Sequence, residues 1–155
     1  MMKKPFLAVF IVIALDQISK LGIDNFISYG ASIPIIKPFH FFYITKVQNT
    51  GIAFSYFQNK NLLFTIFVLI FLLILIFWLY KNRSKISNLQ KYAFCLIIGG
   101  GFGNLADRIF RGAVIDFLDF GINALRWPSF NIADSCVCIG AFLIMIELFK
   151  TRKRG

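Results

Sequence analysis

Charged residues are scarce in this 155-residue chain: they make up 15% of the sequence, and only seven are acidic. Soluble domains carry roughly 25% charged residues, so the composition excludes an ordinary soluble domain. Hydrophobic residues account for 58% of the chain, which predicts that much of its surface faces lipid. The length suits a single integral-membrane domain over residues 1–155.

Residues that bind metals or form disulfides are also few. The three cysteines form no CxxC pair and lie in apolar stretches, which predicts small core residues. Only Cys136 and Cys138 lie near acidic residues, and their spacing matches no zinc motif. The single histidine, His40, stands among aromatic residues and is predicted to be an interfacial ring. The sequence thus predicts no metal site.

The net charge of +10 does not indicate a nucleic-acid partner. Nucleic-acid binders cluster lysine and arginine on one solvated face. Here most basic residues instead interrupt long apolar runs, as the loop charges of membrane proteins do.

Four segments have the length and apolar character of transmembrane helices. Residues 62–80 are nineteen residues without a formal charge, which at about 1.5 Å per residue matches a hydrocarbon core of about 30 Å. Residues 5–23, 92–110 and 132–149 are apolar over a similar length but contain polar residues. The basic start resembles a signal peptide, yet no small-x-small cleavage site follows, so we expect an uncleaved anchor.

The distribution of basic residues predicts the orientation of these helices. Ten of the 17 lysines and arginines lie in the N-terminus, the loop near residues 81–91 and the C-terminal tail, against five in the other two connections. The positive-inside rule then places both termini in the cytoplasm and residues 24–61 and 110–131 outside. Residues 39–57 mix aromatic and β-branched side chains, which favours short strands lying at the outer interface.

Ionisable and amide side chains converge on one depth near the outer face. Such groups inside a span cost several kcal/mol unless they are paired or hydrated, which makes them functional candidates. Helical spacing places Asp16 with Lys20, and Asn104 with Arg108, on shared faces. The full set comprises Asp16, Lys20, Asn49, Asn104, Asp107, Arg108, Asp116, Asn131 and Asp134.

Each of these residues also has a structural interpretation. Asp16 and Lys20 could be a buried pair that locks helices together, and Asp107 beside Arg108 could anchor its helix at the interface. Asn131 could simply cap the fourth helix, since Asn is a favoured N-cap residue.

A pair of carboxylates is the chemistry that this short inventory favours. Two close carboxylates cannot both ionise cheaply, so one holds a proton while the other acts as a base toward water. Asp116 and Asp134 are the natural pair, and Asp119 could replace Asp116 on sequence alone. A Ser19–Lys20 dyad is a poorer alternative because adjacent helical residues point about 100° apart.

Two non-enzymatic alternatives remain open from the residues alone. A small channel or transporter component would carry polar residues across the whole membrane. A structural assembly subunit would tolerate loss of Asp116.

Five segments in order resemble the motifs of the lipoprotein signal peptidase family, also called signal peptidase II. They are residues 16–20 (DQISK), 49–54 (NTGIAF), 99–108 (GGGFGNLADR), 112–117 (GAVIDF) and 130–135 (FNIADS). Any one of them alone would be weak evidence, but the ordered set covers nearly the whole chain. The fold implied is an all-α membrane protein with four transmembrane helices and a small β-rich periplasmic platform.

The resemblance also implies an activity and a role for each residue. The family removes the signal peptide of bacterial prolipoproteins by cutting before a diacylglyceryl-modified cysteine. The resemblance implies an aspartic endopeptidase in the cytoplasmic (inner) membrane, which works near the periplasmic face without metal or cofactor. Its partners would be lipidated prolipoproteins and membrane lipids, and we expect a monomer. The implied roles are catalysis for Asp116 and Asp134, and structural support for Asp16, Lys20, Gly51 and Asp107. Asn49, Asn104, Arg108 and Asn131 would position the substrate backbone and orient the carboxylates.

Overall fold

The computed structural model describes residues 3–36, 41–51, 61–122 and 125–152. Within them lie four long helices: α1 (Lys3–Phe26), α2 (Asn61–Asn82), α3 (Asn88–Phe110) and α4 (Ile132–Arg152). All four are long and apolar enough to cross a membrane. The prediction of four apolar helices of spanning length is therefore confirmed, and each helix extends beyond the bounds expected from hydropathy alone.

Four short antiparallel strands form a sheet at one end of the helices. They are β1 (Ser32–Pro34), β2 (Phe42–Asn49), β3 (Val114–Ile122) and β4 (Leu125–Arg126), paired in the order β1-β2-β3-β4. The predicted β-rich platform is present. The sequence placed its strands only within residues 39–57, but the longest strand, β3, comes from the second connection.

Helix α3 is central because its glycines allow close packing on three sides. A Cβ at Gly99 would overlap Val12 of α1, one at Gly101 would overlap Leu72 of α2, and one at Gly100 would overlap the carbonyl oxygen of Ala133 in α4. The run of glycines thus serves helix packing, as small residues commonly do in membrane proteins.

Apolar and polar interiors lie at opposite ends of the bundle. Val9, Leu79, Cys95 and Ile98 form an apolar core near the α2–α3 turn. The sheet end instead buries polar side chains, among them Lys20, Asp107 and Asn131. A conduction path would need polar residues at both ends, so the distribution over the described residues disfavours the channel alternative.

The cysteines do not all occupy the apolar interior. All three are free thiols, and Cys95 is fully buried as predicted. Cys136 is half-buried, and Cys138 is exposed. The prediction of a core position is wrong for Cys138, because that face of α4 borders a cavity rather than another helix.

Candidate active site

Asp116 and Asp134 approach each other because the buried half of β3 lies beside the start of α4. Asp116 lies in β3 and is only 3% exposed. Asp134 lies in the first turn of α4, where the helix dipole favours negative charge. In β2, Val47 is the partner of Asp116 in the sheet register, and Asn49 is the partner of Val114.

Asn131 binds both carboxyl groups. Its side-chain Nδ2 donates to Asp116 Oδ1 at 2.7 Å, and its backbone N–H donates to Asp134 Oδ2 at 3.1 Å. The backbone N–H of Asp134 donates in return to Asn131 Oδ1 at 2.9 Å. Asn131 therefore caps α4, as its sequence position suggested, and also joins the two carboxyl groups.

Two further asparagines complete the contacts of the pair. Asn49 Nδ2 donates to Asp116 Oδ2 at 3.0 Å, and Asn104 Nδ2 donates to Asp134 Oδ1 at 2.7 Å. Each of the four carboxyl oxygens thus accepts a hydrogen bond from an amide. Three of the predicted substrate-positioning residues use their amides to orient the carboxyl groups.

A buried ionic cluster lies directly behind this pair. Lys20 Nζ is 2.8 Å from Asp16 Oδ2, 2.8 Å from Asp107 Oδ2 and 2.9 Å from Asn104 Oδ1. Lys20 and both carboxylates are 0% exposed. Asp107 therefore does not anchor its helix at the interface, because it is buried against a lysine from another helix.

Two members of this cluster were not among the predicted site residues. Gln17 Nε2 donates to Asp16 Oδ2 and to Asp107 Oδ1, each at 3.1 Å. Arg111 Nη1 pairs with Asp107 Oδ1 and donates to Gln17 Oε1 at 3.0 Å. The i,i+4 spacing of Asp107 and Arg111 is the one sequence signal that could have identified Arg111.

The cluster also joins the helices that carry it. Asp16 Oδ1 accepts the backbone N–H of Ala133 at 2.9 Å, so a side chain of α1 helps to cap α4. Asp107 Oδ2 accepts the backbone N–H of Ile115 at 3.2 Å, next to Asp116. These contacts fit the supporting role that the sequence predicted for Asp16, Lys20 and Asp107.

Arg108 and Gly51 meet on another side of the pair. Arg108 Nη2 donates to the carbonyl oxygen of Gly51 at 2.7 Å, and Nη1 donates to Asn61 Oδ1 at 3.2 Å. Gly51 N–H donates to Asn49 Oδ1 at 3.0 Å. Asn61 is a further residue missed from the sequence, where it appeared only as the residue before an apolar run.

A cavity of about 350 Å³ opens onto both carboxyl groups. Asp116, Asp134, Asn104 and Arg108 supply its polar wall. The remaining wall is formed by the segment before α4, by Gly51 and by residues of β2, β3 and α4. These residues are Asn49, Gly51, Val114, Trp127, Pro128, Ser129, Phe130 and Cys138. Its volume lies within the range of about 300–1,000 Å³ that is common for ligand sites.

Burial strongly perturbs the titration of Asp116. Desolvation and the nearby charge of Asp134 raise the pKa of Asp116 to about 7, against hydrogen bonds from Asn49 and Asn131 and the charge of Lys20, which lower it. Asp116 therefore holds its proton at pH values below about 7. One protonated and one ionised carboxyl group beside a cavity can activate water for attack on an amide.

The structure separates this pair from the alternatives considered for it. Asp119 is paired with Arg126 through two hydrogen bonds and does not line the cavity. Ser19 Oγ donates to the carbonyl oxygen of Asp16 at 2.7 Å, while Lys20 is held in the ionic cluster. These contacts oppose a Ser–Lys dyad.

No metal site is found among the described residues. They contain no group of three histidine, cysteine, aspartate or glutamate side chains positioned to hold an ion. His40, predicted to be an interfacial ring, lies outside the described residues.

Comparisons with known proteins place the chain in a family. The family model for signal peptidase (SPase) II matches residues 8–150. A lipoprotein signal peptidase from Halothermothrix orenii is 42% identical over 150 residues, which cover 97% of this chain and 98% of that protein. One from Alteromonas mediterranea is 40% identical over 140 residues, covering 88% of this chain and 75% of that protein.

Solved structures agree with these sequence relationships. A bacterial membrane enzyme determined by the in meso method at 2.3 Å resolution superposes with a TM-score of 0.88 and 32% identity, covering 98% of this chain and 91% of that one. A second, determined at 1.9 Å resolution, gives a TM-score of 0.82 at 32% identity over 96% and 94% of the two chains.

Proposed function

The chain belongs to the signal peptidase II family, and we propose that it removes the signal peptides of prolipoproteins with a catalytic dyad of Asp116 and Asp134. The observation that carries the proposal is the contact of Asn131 with both carboxyl groups at the wall of one cavity. Residues that only stabilised the fold would have no need of an open cavity beside two buried carboxyl groups. Family membership identifies the chain as a membrane-bound aspartic peptidase, and the geometry supports which aspartates act.

The dyad supplies a balanced route for hydrolysis. The ionised carboxylate takes a proton from water as the water oxygen attacks the scissile carbonyl carbon, and the protonated carboxyl gives its proton to the carbonyl oxygen. In the resulting gem-diol, one hydroxyl gives its proton to the carboxyl group that had protonated the carbonyl oxygen, and the C–N bond breaks. The proton first taken from water passes to the leaving nitrogen, so both aspartates finish in their starting states.

The substrate bond would lie between the dyad and the wall formed by residues 127–130. A diacylglyceryl-modified cysteine keeps its acyl chains in the bilayer, which holds the adjacent peptide bond near the membrane interface. Arg108 lines the cavity with its guanidinium held by Gly51 and Asn61, and it contributes positive charge near the dyad. We assign it to positioning of the substrate backbone.

The surface near the cavity supports contact with lipid. Ile122, Leu125 and Trp127 are 63%, 85% and 66% exposed at the edge of the sheet. Exposed tryptophan beside aliphatic side chains is typical of the membrane–water interface. Together with the basic α2–α3 loop, this supports an active site at the periplasmic face of the cytoplasmic membrane, with both termini inside. We expect a monomer.

The test is cleavage of a diacylglyceryl-modified prolipoprotein by purified protein in lipid or detergent. We expect Asp116→Asn and Asp134→Asn each to lower cleavage by at least about 10³-fold, since both general acid–base groups are required. Asp119→Asn is the matched control on the same strand, and Ser19→Ala tests the alternative nucleophile; both should retain substantial activity. Cleavage that survives in Asp116→Asn but is lost in Asp119→Asn or Ser19→Ala would refute the proposed dyad.

A further inference from the structure

The amide orientations around the dyad are all determined by groups that can only donate. Asn104 Oδ1 accepts from Lys20 Nζ at 2.9 Å, and a lysine ammonium has no acceptor. Asn49 Oδ1 accepts the backbone N–H of Gly51. Since each oxygen is assigned in this way, each NH₂ group must point at a carboxyl oxygen.

Asn131 follows the same rule, with a different consequence. Its Oδ1 accepts the backbone N–H of Asp134, so its Nδ2 is directed toward Asp116. That Nδ2 also lies 3.1 Å from Asn104 Oδ1 and 3.3 Å from the carbonyl oxygen of Ile115. An NH₂ group has two hydrogens for these three acceptors, so Asp116 receives only a share of its donor capacity.

The two carboxyl groups therefore receive donors of unequal strength. Asp134 accepts from Asn104, whose amide is polarised by a buried lysine, and from a backbone N–H at the start of α4. Hydrogen bonds in a chain strengthen one another, and a helix N-terminus favours negative charge. Asp116 lies on a strand, accepts from neutral side-chain amides, and is 3% exposed.

The charged groups of the ionic cluster behind the dyad and of the cavity wall together balance a single negative charge. Helix α1 contributes Lys20 and Asp16, α3 contributes Asp107 and Arg108, and the C-cap of α3 is Arg111. The Cys138 thiol of α4 also lies at the cavity wall. Three cations and two structural carboxylates leave one positive charge, which balances the single negative charge of a dyad that holds one proton.

We propose that Asn104 keeps Asp134 ionised at rest and leaves the proton of the dyad on Asp116. Asp134 is then the general base that activates water, and Asp116 is the general acid toward the carbonyl oxygen. Lys20 acts through Asn104 as a positioning residue, which extends its role beyond support of the helices. The inference rests on the dyad proposed above and assigns the role of each member.

Infrared spectroscopy tests the location of the proton without turnover. At a pH below the pKa of about 7 of Asp116, the spectrum of the wild-type protein minus that of Asp116→Asn should contain the C=O stretch of a protonated carboxyl group. Loss of the Asp134 charge lowers the pKa of Asp116, so the difference between wild type and Asp134→Asn is taken at a pH low enough for Asp116 to stay protonated in the variant. That difference should contain the carboxylate bands of Asp134 and no band of a protonated carboxyl group. A protonated band assigned to Asp134, or to neither residue, would overturn the inference.

A matched pair of variants tests the role of the asparagines through the pH profile of kcat/KM. Asn104→Asp keeps an acceptor for Lys20 but places a second carboxylate at the 2.7 Å contact with Asp134. Two such oxygens must share a proton, so the acidic limb of the profile should move up by about one pH unit or more. Asn49→Asp does the same to Asp116 and should move the alkaline limb instead.

The outcomes separate this inference from the proposed function. If Asn104→Asp moves the alkaline limb and Asn49→Asp moves the acidic limb, the roles of the two aspartates are reversed and the assignment is wrong. If both variants lose activity without a shift of either limb, the asparagines act only structurally, and the inference is also refuted. Full cleavage by Asp116→Asn and Asp134→Asn would instead refute the proposed dyad, whichever limb moves.

Discussion

Substitution of Lys20 should leave Asp16 as a buried negative charge without a cation beside it, and substitution of Asp16 should then remove that charge. In Lys20→Met, Asp107 keeps its ion pair with Arg111, but Asp16 keeps only the neutral donors Gln17 and the Ala133 N–H. Removing one partner of a buried ion pair costs about 3–5 kcal/mol, because the other charge remains uncompensated. At roughly 2–4 °C per kcal/mol, the midpoint of thermal unfolding should fall by about 10 °C.

The double variant Lys20→Met with Asp16→Asn restores the balance of charge. The new amide at position 16 would still offer an oxygen to the N–H of Ala133, and Arg111 would still neutralise Asp107. We expect the free energy of unfolding of the double variant to be about 2 kcal/mol higher than that of Lys20→Met, because neighbouring charged residues are energetically coupled. Asp16→Asn alone is the control, and it should cost less than Lys20→Met because Lys20 keeps Asp107.

Thermal unfolding followed by circular dichroism in one detergent measures all four proteins under the same conditions. The reasoning fails if the double variant is no more stable than Lys20→Met, since Asp16 would then not be the stranded charge. It also fails if Lys20→Met unfolds at the wild-type temperature.

Two further predictions concern the pH profile and the packing of α3. Cleavage should decline as the pH rises through about 7. The pKa of Asp116 is raised to about 7, and its deprotonation removes the general acid. A kcat/KM profile of the wild-type protein that is flat from about pH 6 to 9 would contradict this prediction. Gly100→Leu should destabilise the protein by at least about 1–3 kcal/mol and reduce cleavage, because its side chain would collide with Ala133, next to Asp134. Gly22→Leu is the matched control, since no atom lies within 4 Å of a Cβ there, and equal unfolding temperatures for the two variants would refute the packing argument.

The helices could be predicted because their signal is local. A run such as residues 62–80 is long enough and apolar enough to identify a span without knowledge of its neighbours. The depth of Asp16, Asn104 and Asp134 also follows from counting residues along each span. Both signals use only the rise of a helix and the thickness of a bilayer.

The partners of the polar residues could not be predicted, because they are determined by packing between distant segments. The spacing of Asp16 and Lys20 indicated a pair, but the contact of Lys20 with Asp107 joins residues far apart in sequence. Gln17 and Asn61 were missed since a single amide in a helix has no periodic signature. Strand β3 was missed as a strand, since both of its faces are largely buried and it lacks a clear alternation.

The cap of α4 and the geometry of the dyad depend on the same side chain, which explains why the residue at position 131 is asparagine. Serine, threonine or aspartate would also cap a helix, because each offers an oxygen to the backbone N–H groups of the first turn. An aspartate there would place a third carboxylate against Asp116. A serine hydroxyl is too short to cap Asp134 N–H and donate to Asp116 together. Only an amide provides an acceptor for the helix and a donor for the opposite carboxyl from one planar group, so the fold that starts α4 also sets the dyad.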